Sequence, residues 1–451
     1  MILGAGRHRA WLAARPQLAD LIVWATLVAA GSGVAALAVA LRGPVGVAAA
    51  PFAGRYDLVL RPASLLAPVV AVGVVAAARA SRFEQIAFRH VMALGWLSAA
   101  AWTLALGTAQ RGGLGAALRG PDGYLGDAGA VHGHPAAFLR TFVHAAPGYG
   151  VATRTHPPGA LLLVTGLRAS GLRSATAITV VIVLVGALAV PAVAVATRSL
   201  CHDRAGRRVV PLLVLAPWWL WAPLGLDGVV AAVAAGGIAA GVLASEPGRP
   251  ARGRRALATG AGLLLGTAAL LSYSAAWIGV AVIAVYFVRR RPGLIVLTAV
   301  CGLVPLALAR LAGFTWTDGL SVARDDLTLR VGPDRSWLLW VVLDLMLLLI
   351  IAGPGVVAAT RGTSRSPGWP FLVGAGAAMV FALASGLARG EVERSWIPYA
   401  AWLLVPAVAP LVRPADATDP AAPDATPVPL LLVAAGGFAA LVLRAVLQPA
   451  V

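Results

Sequence analysis

The sequence contains no lysine, so all 36 of its basic residues are arginine. Charge of any kind is scarce: charged residues make up 12% of the chain, against 59% hydrophobic. A soluble globular domain carries roughly 25% charged residues, so this shortage excludes an ordinary soluble domain. Cysteine is nearly absent too. Cys201 falls in a basic loop and Cys301 in an apolar run, which excludes a disulfide framework and a cysteine metal motif. The net charge of +18 has a plain reading in a GC-rich coding bias toward Arg, Ala, Gly and Pro. No compact basic domain collects the arginines, so nucleic acid is excluded as a partner. The charge instead marks the cytoplasmic loops of a polytopic membrane protein.

What the chain has in abundance is apolar runs. They lie near 20–41, 63–79, 90–108, 175–197, 209–225, 227–245, 256–271, 275–288, 293–312, 336–353, 369–388, 396–412 and 429–447. Runs of this length predict an all-α polytopic transmembrane bundle of about 13 spans. No soluble domain interrupts them, so residues 1–451 are read as one integral membrane domain. The basic stretch around Arg7, Arg9 and Arg15 before the first run predicts an uncleaved first helix with a cytoplasmic N-terminus.

The piece 157–169 is apolar but too short to span, and is expected to dip into the membrane and return. With that dip, the arginine clusters of 80–89, 198–208, 246–255, 289–291 and 361–365 all face the cytoplasm of a plasma-membrane protein. A full crossing would turn every later cluster outward. The external face then receives ten of the 18 acidic residues and two polar loops, 109–156 and 313–335. A Pro-, Ala- and Asp-rich stretch, 413–428, reads as a flexible tail before the last helix.

The loop from Gly120 to Gly159 gathers the residues able to do chemistry. Asp122 and Asp127 bracket a Gly-rich turn, with Tyr124 between them as an interfacial anchor. Either carboxylate would serve as general base toward an acceptor hydroxyl; Asp-Gly pairs are also ordinary turn formers. His132 and His134 have metal-compatible spacing but no further ligand, so they and His144 read as solvated loop residues and no metal is expected. His156 precedes Pro157-Pro158-Gly159 at a helix entry, which would fix it facing a cavity.

Outside the loop, Asp227 sits at a helix end, as site residue, N-cap or both. Glu393 and Arg394, with Glu391, stand at an outer helix entrance closed by Trp396. Arg394 would take a lipid phosphate bidentately, with Arg324 and Arg330 as rival phosphate contacts; local ion pairing is the plainer reading. Asp344, within WLLWVVLDLMLLLII, is an ionisable group inside a span, as a proton-coupled transporter or lipid flippase would need.

From His156 to Arg255 the chain resembles the protein-mannosyltransferase-like branch of the GT-C glycosyltransferases. The shared order is an acid-bearing loop, HPPG (His156 to Gly159) opening an apolar helix, a basic connector (Arg198 to Arg208), and an Asp at an outer helix end (Asp227). The segment Glu393 to Trp396 is similar to one in actinobacterial members. The resemblance implies a GT-C-like bundle with its active-site loop between the third span and the HPPG helix. It further implies an inverting transferase that takes sugar from a polyprenyl-phosphate donor to an envelope glycan, lipid or protein on the external face, with no cofactor.

Asp127, then Asp122, would be the base in that scheme, and Arg394 would hold the departing phosphate. His156, Asp227, Tyr124, Glu393 and Arg324 would contact substrate. The chain departs from the family in an extra helix pair, near 63–79 and 90–108, and in lacking an adjacent Asp-Glu pair. The rival readings are the transporter or flippase built on Asp344 and a scaffold for envelope assembly.

Overall fold

The computed structural model describes residues 15–43, 45–131, 133–363, 366–409 and 428–450. Arg7, Arg9, His132, Arg365 and nearly all of the tail 413–428 lie outside the described residues. The described chain is an all-helical bundle with one two-stranded sheet. Among the described residues six helices are long and apolar enough to cross a membrane: Pro16–Arg42, Pro62–Arg79, Phe88–Thr108, Ala175–Leu200, Asp227–Ala244 and Gly293–Leu311. The pair Trp337–Ala352 and Gly355–Gly362 turns through 100° between its halves. Other expected runs form shorter apolar helices, including Trp369–Ser385, Ile397–Ala407 and Leu430–Val446.

Burial separates the centre from the rim. The helix Asp227–Ala244 is the axis, with 78% of its apolar window buried, against 6% for Pro16–Arg42 and 11% for Gly293–Leu311. Lipid is as apolar as leucine, so close packing of small residues, not water exclusion, drives such helices together. The Ala- and Gly-rich composition serves that end. A Cβ on Gly266 would stand 2.1 Å from the carbonyl oxygen of Gly302, so the helices Ala251–Leu271 and Gly293–Leu311 touch backbone to backbone there.

The arginine clusters meet at one end of the bundle. Arg208 pairs with Glu84 at 2.8 Å, Arg207 donates to the Ile86 carbonyl at 2.7 Å, and Arg361 pairs with Asp20 near the start of the first helix. Arg289 donates to the carbonyls of Ser199 and Val242, and Ser199 donates to Glu246. The acidic loops meet at the other end. Arg111 pairs with Asp57, Arg154 with Asp326, and Arg394 with Asp227.

The helix Gly159–Ala169 has both its ends at that second, acidic end. Gly159 packs on the Leu270 carbonyl at the finish of Ala251–Leu271. Beyond the helix, Thr176 donates to the Leu114 carbonyl at 3.1 Å. Eleven residues rise only about 16 Å, too short to cross a bilayer.

The long polar loop is not loose. It carries the helix Pro135–Ala145 and single turns at Ala116–Arg119, Tyr124–Asp127 and Val151–Arg154. The second loop contains the helix Trp316–Asp326. Strand β1, Gly54–Tyr56, pairs antiparallel with β2, Leu447–Pro449, in the register Arg55 opposite Gln448. This pairing ties the two distant parts of the chain over the acidic end.

Candidate active site

A cavity of about 720 Å³ opens at the acidic end. Its walls come from the segment 47–55, from 110–116, from Arg335 and Glu391, and from Gln448–Ala450 beside β1. Three arginines reach it: Arg55, Arg111 and Arg335. Arg111 is paired with Asp57 at 2.5 Å. Arg335 spans two loops, donating to the Gly46 carbonyl at 3.2 Å and to the Arg389 carbonyl at 2.7 Å, with Glu391 at 3.8 Å. Gln448 fixes the back wall by accepting from the Arg111 amide at 3.3 Å.

Glu391 is the carboxylate in that lining. Its φ is 61°, a left-handed conformation unusual for a residue with a Cβ. Such a conformation costs roughly 1–3 kcal/mol and marks a wall held in place by its surroundings. The holding contact is visible one residue earlier, where the buried Asp344 carboxylate accepts from the Gly390 amide at 3.0 Å. Asp344 thus anchors the turn that presents Glu391.

Behind Glu391 lies a buried charged group. Asp227 begins the axial helix, whose N-terminal amides favour a carboxylate, and Arg394 Nε stands 3.7 Å from its Oδ2. A Cβ on residue 225 would meet Arg394 Nη2 at 2.7 Å and Asp227 Oδ2 at 3.2 Å, so glycine there makes room for the guanidinium. Arg394 Nε is buried and has no hydrogen-bond partner. Burial opposes charge on Arg394, but Asp227 and then Glu391 hold its pKa above the usual value.

His156 and Tyr124 complete the group. His156 Nδ1 lies 3.0 Å from the Ala152 carbonyl, so Nδ1 carries the proton and Nε2 keeps its lone pair. Burial lowers the His156 pKa, with Asp227 acting against the shift, and the ring is neutral at neutral pH. Tyr124, 2% exposed, packs edge-on to His156 with centroids 6.3 Å apart. Burial and then Asp227 raise its pKa, keeping the phenol protonated. Glu393 is wholly buried; its Oε1 accepts from the Ala53 amide at 2.9 Å and its Oε2 has no partner. Burial pushes its pKa up to about 7, with Glu391 adding to the rise.

Five residues expected from sequence therefore come together: Tyr124, His156, Asp227, Glu393 and Arg394. The expected bases do not join them. Asp127 accepts from the Gly150 amide at 3.0 Å and Asp122 from the Val151 amide at 3.3 Å. Both carboxylates thus cap the turn Val151–Arg154 that delivers His156, and the charge of Asp127 acts on Tyr149. Arg324 is exposed on the helix Trp316–Asp326 and does not line the cavity; Arg330 pairs with Asp326 at 2.6 Å and donates to Pro147. His134 and His144 are exposed. Among the described residues no three His, Cys, Asp or Glu side chains group as a metal site.

Sequence reasoning missed Arg55, Arg111, Arg335 and Gln448. The signal for Arg335 was faint but present: a single arginine immediately before the apolar run that begins at Ser336.

No protein-family model matches the chain, and no curated protein matches it. Solved structures do resemble it. One is ArnT from Cupriavidus metallidurans bound to undecaprenyl phosphate, 19% identical with a TM-score of 0.43 over 73% of this chain and 60% of that one. The apo state of the same protein gives 16% identity and a TM-score of 0.41 over 60% and 53%. The Archaeoglobus fulgidus oligosaccharyltransferase in complex with Zn and sulfate gives 16% and 0.36 over 66% and 45%. The matched part thus spans about half the length of those chains.

Proposed function

We propose that the chain is a GT-C-type membrane glycosyltransferase. It transfers a sugar from a polyprenyl-phosphate donor to a hydroxyl of an envelope glycan, lipid or protein at the non-cytoplasmic face. The observation that carries this reading is the position of Glu391, which lines the cavity and acts electrostatically on both His156 and Arg394 behind it. A cavity at the acidic end with a carboxylate and arginines suits transfer between a lipid phosphate and an acceptor hydroxyl.

In this reading Glu391, not Asp127 or Asp122, takes the proton of the acceptor hydroxyl. The acceptor oxygen bonds to the anomeric carbon as the bond from that carbon to the phosphate oxygen breaks, which inverts the centre. The proton ends on Glu391, and polyprenyl phosphate leaves with the bonding electrons. Arg394, behind Glu391, favours through its charge the negative charge that develops on that phosphate. Neutral His156 and Tyr124, packed edge-on to each other behind that wall, shape the buried surroundings of Arg394 and Asp227. The arginine-rich end faces the cytoplasm.

The test is mass spectrometry of envelope glycans and glycolipids from wild type, a deletion strain, and the deletion strain carrying Glu391→Gln. The expected result is loss of one glycan or glycolipid in both mutant strains, with its unglycosylated acceptor accumulating. Unchanged profiles in the deletion strain overturn the reading.

A further inference from the structure

A second group of arginines lies near the cavity wall, away from the residues above. Arg444, in the last turn of Leu430–Val446, is 3% exposed. Its Nε donates to the Leu106 carbonyl at 3.2 Å, while Nη1 and Nη2 are buried and have no hydrogen-bond partner. Guanidinium does not give up its proton in proteins, so this is a retained positive charge buried at the end of an apolar helix. Leaving such a charge uncompensated is strongly unfavourable. The helix C-terminus supplies partial negative charge but no acceptor for these two nitrogens.

A neighbouring charge makes the demand stronger. Arg61, another cation, opposes Arg444 electrostatically. Arg61 is exposed, and its Nη1 donates to the Gln110 carbonyl at 3.3 Å, one turn beyond the Leu106 carbonyl that Arg444 uses. The backbone holds the two segments side by side, since the Val59 amide donates to the Ala445 carbonyl at 2.9 Å. Around them the surface is apolar and open: Leu58 is 69% exposed, Leu60 71%, Leu65 70% and Leu66 53%.

We propose that Arg444 and Arg61 bind the phosphate of an anionic membrane lipid, whose chain lies along Leu58, Leu60, Leu65 and Leu66. Two guanidinium groups match phosphate oxygens in number and geometry. Exposed Arg61 exchanges its carbonyl bond for the phosphate, and Nη1 and Nη2 of Arg444, which have no partner, take its remaining oxygens. The site does not depend on the transferase reading, although Gln110, bonded to Arg61, also lines the cavity.

The experiment titrates the full-length protein in detergent with phosphatidylglycerol, undecaprenyl phosphate, phosphatidylcholine and inorganic phosphate, with bound lipid read by native mass spectrometry. At least one anionic lipid should bind tenfold or more tighter than phosphatidylcholine. Arg61→Ala, an exposed change that leaves folding intact, should cut that preference at least fivefold, and Arg444→Met should remove it. Preference for undecaprenyl phosphate alone identifies a polyprenyl carrier as the ligand. Equal preference for phosphatidylglycerol identifies a general anionic headgroup, and both outcomes support the site. Equal binding of all three lipids, a preference untouched by Arg61→Ala, or inorganic phosphate binding as tightly as the lipids overturns it.

Discussion

Arg394 stands 3.7 Å from Asp227 across the gap that Gly225 leaves, close enough for a buried ion pair and too far for a hydrogen bond from Nε. The pair is held by charge while a donor stays unspent. Removing one member of a buried pair typically costs about 3–5 kcal/mol, because the other charge is left uncompensated. Arg394→Met and Asp227→Asn are therefore each expected to lower thermal stability clearly. The double variant should recover much of the stability and none of the transfer activity, as read by thermal unfolding in detergent beside a transfer assay.

Gly225→Ala tests the geometry without touching a charge. The added methyl falls 2.7 Å from Arg394 Nη2, so the guanidinium must shift while the helix start remains. Turnover is expected to fall tenfold or more, with a melting temperature close to wild type. Wild-type turnover in this variant would mean that the position of Arg394 does not matter to the reaction.

Glu393 sets a pH dependence of stability. Its folded pKa of about 7 lies above the ordinary 4.5, so the folded state holds the proton more tightly than the unfolded state. Its contribution is complete below pH 4.5 and is lost as the pH rises through 7, by on the order of 3 kcal/mol. Glu393→Gln removes the titration. The wild-type melting temperature should fall relative to that variant between pH 5 and pH 8; parallel curves would place the titration elsewhere.

The helical class and five members of the candidate site were legible in the sequence for one reason. Tyr124, His156, Asp227, Glu393 and Arg394 are polar residues beside apolar runs, and a membrane chain keeps such residues only where they face each other or a cavity. The shortness of the helix Gly159–Ala169 was legible too, in the length of its apolar run. The cavity walls were not. Strands of three residues carry no usable alternation, and the pairing of Arg55 with Gln448 joins positions almost a full chain apart. The use of Asp122 and Asp127 as caps was equally hidden, because an Asp-Gly turn looks the same whether its carboxylate faces a substrate or an amide.

The end of the bundle that carries the cavity is expected to face away from the cytoplasm, and labelling can check it. With Cys201 and Cys301 replaced by serine, a cysteine introduced at exposed Gly126 or Ala136 should react with a membrane-impermeant maleimide in intact cells. A cysteine at exposed Arg252 should react only after lysis. The reverse pattern would turn the protein over and move the site to the cytoplasmic face.

Whether Glu391 or Asp127 takes the acceptor proton is decided by comparing two conservative variants. Asparagine at 127 retains a carbonyl oxygen able to accept from the Gly150 amide, so the turn Val151–Arg154 and the placement of His156 should survive. Asp127→Asn is then expected to keep turnover within a few-fold of wild type, and Asp122→Asn likewise. Glutamine at 391 keeps the volume and the wall of the cavity but cannot accept a proton at neutral pH. A positioned general base contributes about 10²–10⁴-fold, so Glu391→Gln should lower kcat by at least a hundredfold with little change in donor binding. The opposite ranking, with Asp127→Asn inactive and Glu391→Gln near wild type, would return the base to the loop and leave Glu391 as a wall residue strained for packing alone.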